Sequence, residues 1–304
     1  MKILITGSTG QVGFELQRQL SLLGRVLAPT RHTLDLLDAR VVDDWLDQHR
    51  PDLIVNAAAY TAVDRAQQEP ELAAYLNAAL PAQLARHARQ QGIALVHYSS
   101  DYVYSGEGEL PWCEEATPAP CNVYGQSKWD GDQAIVQSGC EHLIFRTSWV
   151  YGAYGHNFMK TMLALGRERD RLEVVIDQIG APTPARLIAR ITAQALVQRL
   201  EGGVYHLAPR GATSWHGFAQ AIFRLARAQG VTGLPAPEAV IPVVTANYPA
   251  PAPRPLNSRL CLDRIETALG VPMPHWEAQL GFTLGEYLAG PGAKLLRDGA
   301  EQAV

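Results

Sequence analysis

Residues 2–23 constrain the fold more tightly than any other stretch. Lys2 to Thr6 is a short apolar run that leads into Gly7-Ser8-Thr9-Gly10-Gln11-Val12-Gly13. Val12, Leu16, Leu20 and Leu23 then recur at helical spacing. This is a strand, a Gly-rich turn and a helix. In such a unit Gly7 allows the tight turn, Gly10 lets the backbone approach a pyrophosphate, and Gly13 lets the helix pack close to the strand. The free N–H groups at the helix start face the phosphates. Gln11 and Val12 lie in the same turn. An ordinary Gly-rich loop is the alternative, but the position between a strand and a helix favours dinucleotide binding.

The alternation continues. Arg25 to Pro29 reads as a second strand, Val41 to His49 as a helix, and Asp52 to Ala58 as a third strand. Leu53-Ile54-Val55 is uniformly apolar, as a parallel strand covered on both faces should be. Glu71 to Gln91 reads as one long helix containing Asn77. Ile93 to His97 is a fourth strand. A helix opened by Tyr124 runs to about Ser138, and His142 to Ser148 is a fifth strand. The pattern then loosens. Asn157 to Gly166 and Pro184 to Leu200 read as helices, and Gly203 to Leu207 as a strand. Ser214 is a good N-cap for a helix reaching Ala228. Pro235 to Pro255 is proline-rich, hence extended and loop-like. Asp263 to Leu269 and His275 to Leu288 read as closing helices.

Ligands of open α/β sheets lie beyond the carboxyl ends of the strands. After the second strand, Arg31 suits a 2′-phosphate, whereas Asp35, beside Leu36, suits the adenosine end of either cofactor. After the third strand, Ala58, Ala59, Tyr60 and Thr61 follow Asn56-Ala57, and small side chains there let a cofactor lie against the backbone. The fourth strand leads into Tyr98-Ser99-Ser100-Asp101-Tyr102. A hydroxyl at that point can hydrogen-bond a substrate carbonyl. Ser100 is the candidate and Ser99 the rival, since alternation points the two apart. Tyr124 and Lys128 are four residues apart, hence on one helix face. An ammonium near a phenol favours the phenolate, so this pair is a credible general acid and base. Tyr-x-x-x-Lys alone also fits a packed tyrosine beside a solvated lysine.

Composition excludes other classes. The 304 residues suit one large or two ordinary domains, and a net charge of −4 argues against a dedicated nucleic-acid binder. No apolar run reaches the roughly 18 residues of a membrane span. The N-terminus reads as a strand rather than a signal peptide, so a cytoplasmic protein starting at Met1 is expected. Cys113, Cys121, Cys140 and Cys261 form no Cys-x-x-Cys pair, and neither a zinc site nor a disulfide framework is expected.

Combined, the N-terminal glycines, Asn56-Ala57-Ala58-Ala59, the serine after the fourth strand and Tyr124-x-x-x-Lys128 resemble the extended short-chain dehydrogenase/reductase superfamily. Ser99-Ser100-Asp101-Tyr102-Val103-Tyr104, Arg146-Thr147-Ser148-Trp149-Val150-Tyr151, Gly180-Ala181-Pro182-Thr183 and Arg254-Pro255-Leu256-Asn257-Ser258-Arg259-Leu260 narrow the resemblance to the dTDP-4-dehydrorhamnose reductases, from residue 1 to about 288. It implies an α/β fold, a Rossmann-like doubly wound parallel sheet with a smaller C-terminal substrate-binding lobe. Residues 1–150 would bind the cofactor, with some later segments returning to that domain. Residues 151–288 would mainly form the substrate lobe, and 289–304 a loose tail.

The resemblance also implies a reaction, in which NADPH or NADH reduces a 4-keto nucleotide sugar for cell-surface polysaccharide synthesis. Tyr124 would donate the proton. Lys128 would lower the phenol's pKa and hold the nicotinamide ribose, near the Tyr98 strand end. Ser100 would bond the same oxygen; the family more often has threonine there. Asp101 falls in the same substrate segment. Tyr102 and Trp149 would contact the sugar or close over the nicotinamide, and Arg254 and Asn257 would hold the pyrophosphate and nucleotide. Some members are described as magnesium-dependent dimers using carboxylates. Glu15 matches one, but Arg186 falls where the second is expected and would repel the ion. No magnesium, a solvated Glu15, and a monomer or weak homodimer are therefore expected. Rival readings are an epimerase or 4,6-dehydratase of the same superfamily, and a non-catalytic subunit like the regulatory subunit of methionine adenosyltransferase. Dehydratases carry an acid where this chain has Tyr102.

Overall fold

The computed structural model describes residues 1–297. The first half runs β1 (Lys2–Thr6), α1 (Gln11–Leu20), β2 (Arg25–Leu27), α2 (Ala39–His49), β3 (Leu53–Asn56), α3 (Val63–Ala66), α4 (Pro70–Ala74), α5 (Leu80–Gln91), β4 (Ala94–Ser100), α6 (Val123–Ser138) and β5 (His142–Thr147). The second half runs β6 (Val150–Tyr151), α7 (Phe158–Glu168), β7 (Leu172–Val175), β8 (Ile179–Gly180), β9 (Thr183–Pro184), α8 (Ala185–Gln198), β10 (Gly203–His206), β11 (Thr213–Ser214), α9 (Trp215–Ala228), β12 (Val240–Val243), β13 (Asn257–Ser258), α10 (Asp263–Leu269), α11 (Trp276–Ala289) and α12 (Lys294–Arg297).

Six strands form one parallel sheet in the order β10-β5-β4-β3-β1-β2. Alternate side chains explain the uniformly apolar strands. Ile3, Val55 and Phe145 pack on one face against Leu16, Leu20 and Ile188. Leu4, Ile54 and Ile144 pack on the other against Leu46, Leu84 and Ile135. Each such side chain contributes about 1.5–3 kcal/mol. The winding reverses beside β1, so the carboxyl ends of β1 and β3 open a crevice of the kind that receives ligands. A separate apolar cluster joins α7, α9 and α11 through Leu163, Phe218, Phe223, Leu280 and Leu284.

The structure corrects four expectations. The helix expected over residues 71–91 is interrupted by a π-helical turn, Tyr75–Ala79, which reaches the Asn77 side chain to α6. The fourth strand continues through Ser100, because every residue from Val96 to Ser100 is buried beside β5. The proline-rich stretch contains β12, which pairs in parallel with β7, Val240 opposite Leu172. Pro242 is tolerated there because, among the described residues, β12 pairs with no strand but β7. Finally, the segment expected as a loose tail carries α12, whose Leu295 is 7% exposed and belongs to the α7–α9–α11 cluster. Residues 298–304 lie outside the described residues.

Candidate active site

The Gly-rich turn is dictated by sterics. Gly7 has φ +65°, and a Cβ there would lie 2.6 Å from the Ala57 and Ala58 backbone. A Cβ on Gly13 would lie 2.1 Å from the Gly7 carbonyl oxygen. Gly10 caps α1 with no side-chain hydrogen bond, so the first-turn N–H groups stay open to an anion. This turn forms one end of a cavity of about 770 Å³. Val12, Arg31, Asp35 and Leu36 line it at one end, and Ala58, Ala59 and Thr61 along the β3 loop. Tyr98, Ser100, Asp101, Tyr102, Tyr124, Lys128 and Trp149 line its other end. The shape and the open helix start fit a dinucleotide. Gln11 lines the cavity and also spans its two sides: its Oε1 accepts from Asn157 Nδ2 at 2.9 Å.

Two expected contacts are placed elsewhere. Tyr60 turns its hydroxyl to Glu69, away from the cavity, while its backbone is clamped by the Asn77 amide at 2.9 and 3.0 Å. Asn257, in the C-terminal motif, is 2% exposed and donates to the Leu110 carbonyl at 2.8 Å. It therefore shapes the loop and does not line this cavity. Arg254 pairs with Asp64 at 2.8 Å on the wall of a second cavity, of about 1270 Å³. Trp215 lines both cavities. It stacks on Trp149 with ring centres 3.8 Å apart. Trp149 has φ +48°, a conformation rare outside glycine that concentrates at functional sites. Trp215 had no sequence signal, since nothing in the spacing ties it to residue 149.

Helix α6 aims the acid/base candidates. The Asn122 side chain caps it, accepting from Gly125 N at 2.7 Å. A Cβ on Gly131 would lie 2.0 Å from the Asn77 carbonyl oxygen, so glycine lets α6 close on the π turn. Tyr124 and Tyr102 meet edge to face, with ring centres 5.4 Å apart. Burial pushes the Tyr124 phenol up to about 12; a hydrogen bond with Ser100 opposes this, and the Asp101 and Asp132 carboxylates add to it. Burial holds the Lys128 amine down to about 8, opposed by Asp132. Asp132 in turn is bridged by Arg146 Nε at 3.0 Å, both residues being buried. Burial is thus the largest influence on the phenol here. Lys128 Nζ donates to the Tyr98 carbonyl at 2.7 Å and lies 3.1 Å from His97 Nε2. Burial likewise pushes Asp101 up to about 6.

Glu15 is also corrected: it is 5% exposed rather than solvated. Arg18 bridges it, at 3.3 Å, to Glu286, at 3.0 Å, and Arg186 lies 3.4 Å from Glu286. Two guanidinium groups occupy the positive role between these carboxylates. No group of three or more metal-ligating side chains occurs among the described residues. The residues here do not fit a magnesium ion. No described helix is long and apolar enough to cross a membrane.

Known proteins resemble this chain over most of its length. The dTDP-4-dehydrorhamnose reductase of Salmonella typhimurium is 45% identical over 285 residues, covering 91% of this chain and 95% of that protein. The Escherichia coli K12 protein of the same name is 43% identical, covering 94% and 98%. The crystal structure of the Bacillus anthracis dTDP-4-dehydrorhamnose reductase in complex with NADP superposes with a TM-score of 0.87 at 35% identity, covering 94% of this chain and 99% of that one. Residues 1–289 match the family described as the RmlD substrate binding domain, and the chain belongs to that family.

Proposed function

We propose that this chain reduces the 4-keto group of dTDP-4-dehydro-6-deoxy-L-mannose to give dTDP-L-rhamnose, using NADPH or NADH. The observation that carries the reading is the convergence of Ser100, Tyr124 and Lys128 on the cavity that holds the Gly-rich turn. The dinucleotide, when bound, supplies the hydride. Ser100 and Tyr124 hold the carbonyl oxygen, and Tyr124 gives its proton as that oxygen becomes an alkoxide. Lys128 holds the cofactor ribose and steadies the phenolate left behind. Donors already aimed at developing charge in a buried site are worth far more than in water. Tyr102 and Trp149 hold the sugar, and the second cavity, with Arg254 on its wall, takes the nucleotide end. The names of the relatives, and the NADP complex, support the same reading. A regulatory subunit has no need of this acid/base set.

In this reading residues 1–150, joined by α8 and β10, hold the cofactor, residues 151–288 mainly hold the substrate, and the protein is a cytoplasmic monomer or weak homodimer. The test follows NADPH absorbance with enzymatically generated dTDP-4-dehydro-L-rhamnose. A folded, cofactor-binding protein that consumes no NADPH overturns the assignment; tightly retained NAD with no net consumption points to an epimerase. Activity is expected to be unchanged in EDTA, and titration calorimetry showing magnesium binding at millimolar concentration or below would contradict this. The pH dependence has a definite sign. A lysine held at about 8 is charged below that pH and loses its charge above it, whereas the phenol at about 12 stays protonated. In the free enzyme kcat/KM is therefore expected to fall as pH rises through about 8. A flat profile from about pH 7 to about 9.5 would exclude a titrating Lys128.

A further inference from the structure

Behind Lys128 lies a chain of buried polar groups that the reaction does not use directly. His97, on β4, is fully buried, as are Asn56 and Thr6 within 1%. Lys128 Nζ lies 3.1 Å from His97 Nε2, and His97 Nδ1 lies 3.0 Å from the Asn56 amide. The Asn56 carbonyl oxygen accepts from Thr6 Oγ1 at 2.6 Å. Thr6 Oγ1 in turn accepts from the Ala58 N–H at 3.4 Å, at the edge of the dinucleotide cavity. The chain thus links the end of β1, through β3 and β4, to the amine on α6.

Its proton arrangement has consequences. With Asn56 oriented to accept from Thr6, its NH₂ faces His97 Nδ1, which must then be the acceptor. A neutral imidazole in that setting carries its proton on Nε2, facing Lys128. An N–H can donate to the lone pair of a neutral amine, but not to an ammonium, which has three donors and no acceptor. Turning the Asn56 amide over reverses every partner. Nδ1–H then donates to the amide oxygen, and the bare Nε2 accepts from the ammonium. His97 stays neutral throughout, because burial and the Lys128 charge hold its pKa well below the ordinary range.

We propose that His97 is a positioning residue for Lys128, and that Thr6, Asn56 and His97 form a two-state hydrogen-bond chain in which the orientation with a proton on Nε2 excludes the charged lysine and the ammonium selects the other. This rests on the reductase reading only for its catalytic meaning, not for its geometry. The net change between the states is one proton lost from the amine to solvent. The other groups acting on Lys128 are the Tyr98 carbonyl on β4 and Asp132 on α6, with Arg146 of β5 bound to Asp132. None of them changes tautomer, so the switch is legible at His97 alone.

The chain has only four lysines, Lys2, Lys128, Lys160 and Lys294. Nuclear magnetic resonance of full-length, cofactor-free protein labelled at lysine and histidine can therefore follow both partners. The expected result is a His97 ring protonated on Nδ1 while Lys128 is charged, changing to Nε2 as Lys128 titrates. Nε2–H beside a charged Lys128, or a tautomer that ignores the titration, overturns the proposal without touching the reductase reading. His97→Phe removes the acceptor and is expected to move the Lys128 titration, and the alkaline fall of kcat/KM, to lower pH by about one unit. His97→Gln, which can place an amide oxygen near the Nε2 position, is expected to restore both. Equal loss in the two variants with the titration unmoved would mean that His97 is only a packing residue. Should His97→Phe fail to fold, the tautomer measurement on the native chain decides alone.

Discussion

Tyr124→Phe is expected to lower kcat by roughly 100- to 10,000-fold, the range for losing one general acid. The substitution removes one oxygen and keeps the ring that packs edge to face on Tyr102. Fold stability and NADPH affinity should therefore change little. kcat and kcat/KM should fall together, because proton donation is made only in the transition state. The phenol lines the cavity and hydrogen-bonds the Ser100 hydroxyl, a position a free water would have to find without the ring to hold it. Steady-state NADPH consumption with the keto sugar, wild type against variant, is the check. A variant retaining a tenth or more of wild-type kcat would remove Tyr124 from the proton-donor role.

Arg146→Leu is expected to destabilise the fold by about 3–5 kcal/mol, the cost of leaving one partner of a buried ion pair uncompensated. Arg146 and Asp132 are 2% and 1% exposed. Arg146 also donates to the Tyr104 hydroxyl at 2.8 Å, so two buried groups, Asp132 and Tyr104, lose a partner. The pH dependence follows from Asp132. Burial already raises its pKa, and Arg146 opposes this. Without Arg146 the folded-state pKa rises further above its unfolded value. Protonation then favours the folded state, so the deficit shrinks toward acid and is full once the pH exceeds the raised pKa. Urea unfolding at two pH values checks both points. The pair replaced together, Arg146→Leu with Asp132→Leu, should recover much of the loss. An Arg146→Leu loss below about 1 kcal/mol, the same at both pH values, would contradict this account.

Much of the fold was legible because it depends on short-range rules. Gly7 and Gly13 are where they are because any side chain would meet backbone, at 2.6 and 2.1 Å, and their spacing between a strand and a helix is visible in the sequence. Uniformly apolar strands announced a sheet covered on both faces. The Ser214 cap and the helix to Ala228 follow from one hydroxyl accepting the Gly217 N–H at 3.0 Å. What escaped depends on partners far away in the chain. The strand Val240–Val243 forms in a proline-rich stretch only because β7 offers it an edge. Asn77 looked like a helical residue, yet a π turn spends its amide on Tyr60 and Ser127.

The sequence by itself determined the parallel sheet, the dinucleotide turn and the short list of groups able to move a proton, because spacing and steric demand act within a few residues. Only the tertiary structure decided what charges those groups carry and which way they point. Burial raises the Tyr124 phenol and lowers the Lys128 amine. The placing of His97, Asp132 and Arg146 around that amine, and of Arg18 and Arg186 around Glu15 and Glu286, joins residues up to 268 positions apart. Desolvation and Coulomb forces depend on that three-dimensional neighbourhood, which no local pattern in the chain specifies.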